Sequence, residues 1–396
     1  MSDGVCILKG KVFRRIGCAV LIAVMIFSCC PGLSGISVSA ADKSFDRDGY
    51  VYTITDTEKL TVEIKKAPEE AENGYVIPST VTHRKKNYTV TGIANAAYAF
   101  TGIEEAVIPE TVTSIGNSAF AGCSGLRSVF IPAGLESVGT GAFSYCNELT
   151  AIEIDPENRV FSFTAGMLFC STGNESRELV WGSPAVKAVC KVPEGTVKIL
   201  PYAFEGNNVI TDVKLPSTLT GIGSGAFMDC ALLKNITVPK SVKNIGDNPF
   251  MYCPSLETVK VAKGNRSYTS TDTGLLLNAK KTVLISASAA KGDVILPESI
   301  KRISKAAAAG NTGIVSVSIG KKVKTVEAFA FADCSSLSKV IFAGRKTVLA
   351  DDGDVFKNSY YYLDVTVPYP SGTGTTGSFE DMIRRNSPNG VIIIWR

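Results

Sequence analysis

From residue 103 onward, apolar side chains fall at positions 1, 4, 6, 10, 13, 17 and 18 of a unit that then starts again. The clearest copy, residues 126–146, reads LRSVFIPAGLESVGTGAFSYC. Its landmarks are Leu126, Val129, Ile131-Pro132, Leu135, Val138-Gly139, Ala142-Phe143 and Cys146. Twenty-three residues earlier stand Ile103, Ala106, Ile108-Pro109, Val112, Ile115-Gly116, Ala119-Phe120 and Cys123. The same phrase returns from Ile210, Leu233 and Ile314, ending on Cys230, Cys253 and Cys334. A unit this short cannot bury its own apolar residues, so a fixed step of this size predicts a solenoid of stacked turns.

The opening Leu-x-x-Val-x-Ile alternates as a strand does, and successive copies would pair in parallel about 4.8 Å apart. Proline then limits strand growth, having no ladder donor. The Val-Gly pair is expected to turn the chain, and Ala-Phe-x-x-Cys to form a short helical turn. Phe120, Phe143, Phe204, Phe227, Phe250 and Phe331 should stack as one internal column. The cysteines three residues later, always in register, read as small buried hydrophobes.

Two regular units (103–125 and 126–148) precede a long one that departs through DPENRVFSFTAGMLFC and rejoins at Val192-Pro193 and Ala203-Phe204. The plan is then repeated: units 210–232 and 233–255, a departure through AKGNRSYTSTDTGLLL, and a return at Leu296-Pro297. The departures match internally, Asn158 with Asn265 and Phe161 with Tyr268. They predict two hairpin-type inserts, near 155–190 and 262–293, projecting from one side of the coil. Ala307-Ala308 replaces Ala-Phe in the second long unit, with Asn311 at the cysteine position, which predicts a thinner core there. Residues 41–102 read as an N-terminal cap of half-buried strands with a degenerate repeat, including a hairpin tip at THRKKN, residues 82–87. The solenoid proper spans 103–342, and 343–396, with Tyr360-Tyr361-Tyr362, forms a C-terminal cap.

The formal charge of +4 changes little. Of 41 basic and 37 acidic residues, four and one fall in the first 40, so the remainder is almost neutral. Nothing in it favours nucleic acid or an anionic membrane surface. The first 40 residues read as an export signal: Lys9 to Arg15, an apolar run from Ile16 to Ser28, and Val38-Ser39-Ala40 before the cut. A lipoprotein signal through Cys29 is the alternative, which Phe27 fits poorly. No transmembrane segment is expected in the mature chain. Of 11 cysteines, Cys6, Cys18, Cys29 and Cys30 lie in the leader, while Cys170 and Cys190 stand outside the register and are the better disulfide candidates.

The unit I-P-x-x-V-x-x-I-G-x-x-A-F-x-x-C-x-x-L closely resembles the BspA-like leucine-rich repeats of bacterial secreted and surface proteins, over about residues 75–342. The resemblance implies a β-rich leucine-rich-repeat solenoid, exported and non-catalytic, that binds other macromolecules; relatives include adhesins for extracellular host proteins. A fold of this kind does not name its ligand.

Candidate chemistry is sparse. His83, alone of its kind, adjoins Arg84-Lys85-Lys86 and reads as a solvated hairpin tip. Asp351-Asp352-Gly353-Asp354 lacks the spacing of a calcium loop. No zinc spacing or phosphate loop occurs, so no metal and no cofactor are expected, and a hydrolase built on carboxylates has no motif behind it. The binding argument is geometric instead. Between the inward Val and Ile of each strand one side chain points outward: Val107, Phe130, Glu153, Lys214, Thr237, Lys260, Ser318 and Ile341. These positions vary while the core positions repeat, as expected of a ligand-binding face. An extracellular protein is the expected partner; a glycan, or a structural role in the envelope, is the alternative.

Overall fold

Each 23-residue turn contributes two strands to the coil. The computed structural model describes residues 43–68, 76–173, 175–350, 354–359, 363–368, 377–387 and 390–396. The leader with its four cysteines and Cys29 alternative, residues 351–353 and the tyrosines 360–362 lie outside the described residues. On one side, Glu105–Val107, Ser128–Ile131 and Ala151–Ile154 pair in parallel, with Ala106, Val129 and Ile152 in line. The next front ladder comprises Val189–Lys191, Asp212–Lys214, Asn235–Val238 and Thr258–Val261. A third runs from Gly292–Ile295 through Ile314–Ile319, Lys339–Phe342 and Leu363–Val367 to Val391–Trp395.

The Val-Gly corner is itself a strand. Ser114–Ile115 pairs in parallel with Ser137–Val138, and Gly221–Ile222 with Asn244–Ile245, making a second ladder on the back. Close approach, not a left-handed turn, demands the glycine. A Cβ on Gly116 would sit 2.5 Å from the backbone nitrogen of Asn95, and one on Gly223 2.4 Å from that of Pro201.

The third side differs from its expected helical form. Left-handed residues lie two before and two after each phenylalanine: Ser118 and Gly122 around Phe120, Gly225 and Asp229 around Phe227. A right-handed helical turn cannot contain them. Their effect is to aim alternate amides along the coil axis. The N–H groups of Ser118, Phe120 and Gly122 donate to the carbonyls of Thr140, Ala142 and Ser144, at 3.0, 2.8 and 2.8 Å. All three sides are therefore hydrogen-bonded from turn to turn, and the backbone is satisfied without helices. Among the described residues the α-helix is Gly377–Arg385, in the C-terminal region.

The phenylalanines stack inside, but in three columns. Tyr98, Phe120 and Phe143 lie 5.0 and 5.7 Å apart and end against Trp181. Phe204, Phe227 and Phe250 follow at 5.2 and 5.8 Å, and Phe331 stacks on Phe356 at 5.8 Å. The breaks fall at the first insert and at Ala308, which is fully buried without a ring. The buried apolar residues divide in the same way, into clusters of 50–181, 167–289 and 275–383. The repeat cysteines are more than small hydrophobes. Each thiol donates to a carbonyl one turn back: Cys146 to Phe120 at 3.1 Å, Cys230 to Phe204 at 3.1 Å, Cys253 to Phe227 at 3.0 Å. Ser359 does the same to Phe331 at 2.6 Å.

The inserts do more than project. Phe161–Thr164, Met167–Gly173 and Ser176–Gly182 form an antiparallel meander whose last strand joins the back ladder through Thr196–Ile199. Phe169, Leu179 and Trp181 are buried in the core, so the insert replaces a turn, while its two hairpin ends, at Thr164-Ala165 and at Ser171, Thr172, Gly173 and Glu175, stay exposed. Tyr268–Ser270, Leu276–Asn278 and Val283–Ser286 repeat the arrangement. Asparagines fasten both. Asn158 donates from Nδ2 to the carbonyls of Pro132 and Leu135, at 2.8 and 3.1 Å, and its Oδ1 accepts from Val160 and Phe161. Asn265 bonds in the same way to Pro239 and Val242. Where the inserts rejoin, Asn207 and Asn311 stand at the cysteine position and donate to insert carbonyls, Gly182 and Ser183 for one, Ala287, Ser288 and Ala290 for the other.

Cys170 and Cys190, the disulfide candidates, are free thiols in different sheets and different core clusters. His83 ends the strand Thr80–His83 and stacks on Phe45 at 3.9 Å; the tip itself is Arg84 and Lys85, both left-handed and exposed.

Candidate binding face

The eight outward residues fall on the three front ladders. Val107, Phe130 and Glu153 are direct neighbours across the first. Thr237 adjoins Lys260 on the second, and Ser318 adjoins Ile341 on the third. Lys214 lies in the strand between those of Lys191 and Thr237. Val107 is 60% exposed, Phe130 half-buried, and Glu153, Lys214, Thr237 and Lys260 exposed. Side chains that face water from a rigid ladder can meet a partner without reordering the backbone.

Further members of these columns were missed. Lys191 pairs with Lys214, and Ile295, 77% exposed, pairs with Ser318. Both stand one residue before the landmarks Val192-Pro193 and Leu296-Pro297, so the register carried the signal. Thr366 and Ile394 extend the third column beyond the last repeat, where no register exists, and Thr366 is buried. The face thus changes along the coil: apolar and acidic first, then lysine-bearing, then apolar with serine.

Two carboxylates lie on the turn side instead. Glu205, 4% exposed, follows Phe204, and Asp229 stands two residues after Phe227 in the next turn. Burial, with the neighbouring charge of Asp229 adding to it, pushes the Glu205 carboxyl up to about 8, and burial pushes Asp229 up to about 6. Their ordinary values are 4.5 and 3.8. Between the ordinary and the raised value the folded chain holds a proton that the unfolded chain releases. Stability from this pair is thus complete below the ordinary values and is lost as pH rises towards 8. The melting temperature should fall from pH 5 to pH 8, and Glu205→Gln should flatten that slope, gaining on the order of 3 kcal/mol at pH 8. A slope unchanged in the variant would assign the effect elsewhere.

Burial also pushes the thiols of Cys146 and Cys334 upward, and that of Cys190 up to about 11, which makes them poor nucleophiles. Among the described residues, no three His, Cys, Asp or Glu side chains are grouped to hold a metal ion. No described helix is long and apolar enough to cross a membrane.

A coil of parallel ladders with one short repeated unit per turn defines a leucine-rich-repeat solenoid. The family model for the BspA type leucine rich repeat region matches residues 91–175, 188–274 and 288–382, and the chain belongs to that family. A leucine rich cell surface protein of Faecalibacterium prausnitzii is similar at 22% identity, over 91% of this chain and 96% of its own, with a TM-score of 0.45. A leucine-rich repeat protein of Eubacterium ventriosum is 20% identical over 82% of this chain and 73% of its own, TM-score 0.42. One from Bacteroides ovatus is 19% identical over 89% and 99%, TM-score 0.35. No curated protein sequence matches the chain.

Proposed function

We propose that this is an exported bacterial protein of the cell surface or its surroundings, non-catalytic, that binds an extracellular protein through its front ladders. The leader 1–40 would be removed, leaving caps at 41–102 and 343–396 around the repeats. The observation that carries the reading is the front face itself. Core positions repeat from turn to turn, while Val107, Phe130, Glu153, Lys214, Thr237 and Lys260 differ and stand in contact with water. The adjacent Val107 and Phe130 offer an apolar centre, and Glu153 a charged margin, which is the arrangement that concentrates binding energy in protein interfaces.

The test is a binding screen of the purified protein against immobilised extracellular proteins and glycans, with Phe130→Glu beside it. The expected result is a protein ligand whose affinity drops at least tenfold in the variant, at unchanged melting temperature. A ligand held equally by the variant would move the site off this face. Capture of a glycan is the second reading, favoured by a cationic cleft at the second insert.

A further inference from the structure

The two inserts share a backbone plan and carry opposite charge. Up to Phe161 and Tyr268 they correspond at a constant offset of 107 residues. At that offset Asp155 and Glu157 of the first are replaced by Ala262 and Gly264 of the second, and Glu136 in the preceding regular unit is replaced by Lys243. The ladder register gives a fourth case: Glu178 stands opposite Lys198, and Val283 stands opposite Arg302. Glu178 neutralises Lys198 at 2.7 Å; Val283, in the corresponding place, offers Arg302 no carboxylate.

Two adjoining clefts, of about 510 and 310 Å³, open beside the second insert and share Tyr268 and Ala279. Lys243, Arg266, Lys280 and Arg302 line the larger, Lys263 and Lys281 the smaller, and no carboxylate lines either. Among the described residues only Arg302 of these six has an acidic partner, Glu327 at 2.8 Å. Between the compartments Tyr268 is held in place by the backbone N–H of Ile245, which donates to its hydroxyl at 2.8 Å. Cations crowded along a concave wall focus a positive potential outward.

We propose that this cleft binds an acidic polysaccharide, a chain bearing uronate or sulfate groups. The cations supply charge-assisted hydrogen bonds to carboxylate or sulfate oxygens. The fixed ring of Tyr268, apolar in its body and polar at its tip, gives a sugar ring a surface to lie against. Two compartments joined at that ring suit consecutive residues of a chain better than a single small anion. The site lies on the flank of the second insert and does not depend on the front-face reading.

The experiment is calorimetric titration of the full protein, at low salt, with a heparin-derived hexasaccharide and a galacturonate hexamer. Maltohexaose and a hexaglutamate peptide serve as comparisons. One or both acidic hexasaccharides should bind, the affinity should fall as salt rises, and maltohexaose should not bind. The double variant Lys243→Glu, Lys280→Glu, which alters exposed side chains and places at 243 the acid that Glu136 supplies beside the first insert, should bind at least tenfold more weakly with its melting temperature unchanged. Phe130→Glu should bind as the parent does. The proposal is overturned if neither acidic saccharide exceeds maltohexaose, or if the double variant binds as the parent. It is also overturned if hexaglutamate binds as tightly as the saccharides, or if Phe130→Glu abolishes the binding.

Discussion

Phe227→Ala lowers the stability of the solenoid by about 3–5 kcal/mol, while Lys214→Ala changes it by about 0.5 kcal/mol or less. Phe227 is fully buried with a stacked ring on each side, Phe204 at 5.2 Å and Phe250 at 5.8 Å. Truncation leaves a cavity that these neighbours cannot fill, because backbone hydrogen bonds fix the spacing of the turns. Cys253 donates to the Phe227 carbonyl, so any local collapse also disturbs the next turn. Lys214 lies in the same repeat with its side chain in water. Denaturant unfolding of the two variants measures the difference. Equal losses would mean that the rings do not hold the stack.

Asn158→Ala is the second large effect, at about 3 kcal/mol or more. The substitution removes one amide side chain but orphans partners on two segments. The Leu135 carbonyl loses its donor, the Pro132 carbonyl keeps only the Leu135 N–H at 3.3 Å, and the amides of Val160 and Phe161 lose their acceptor. Burying these groups unpaired costs more than the hydrogen bonds contribute when made. Asn265 makes the matching bonds but is less buried, so Asn265→Ala should cost less. Unfolding followed by Trp181 fluorescence reports on the first insert directly. A larger loss for Asn265 than for Asn158 would overturn the assignment of burial as the cause.

The period of the coil was legible because residues that stack in the core must suit their copies above and below. Phe120, Phe143, Phe227 and Phe250 repeat for that reason, and so do the cysteines. The back strands were not legible, because two residues such as Ser114 and Ile115 are too few to show alternation. The left-handed residues around each phenylalanine were hidden as well, since Ser118, Tyr145, Asp229 and Phe329 have little in common chemically. Their role is set by backbone hydrogen bonds that the sequence does not display. The single phenylalanine column failed at two points the sequence did mark, the first insert and Ala308, where other residues enter the core or no ring exists. Of the candidate face, the register identified the ladder positions in regular units. It passed over Lys191 and Ile295 because their units are interrupted by inserts. The cationic cleft depends on residues from three segments, Lys243, Arg266 with Lys280, and Arg302, which only the folded meander brings together.

The thiol donors give the coil a built-in record of its own opening. Cys123 and Cys146 lie in the first core cluster, Cys230 and Cys253 in the second, and Cys334 in the third. Each is buried, and each donates its hydrogen to a carbonyl of a neighbouring turn. A reagent in solution therefore meets a given sulfur only when the turns around it part. The order in which the sulfurs become labelled is the order in which the coil unzips, cluster by cluster.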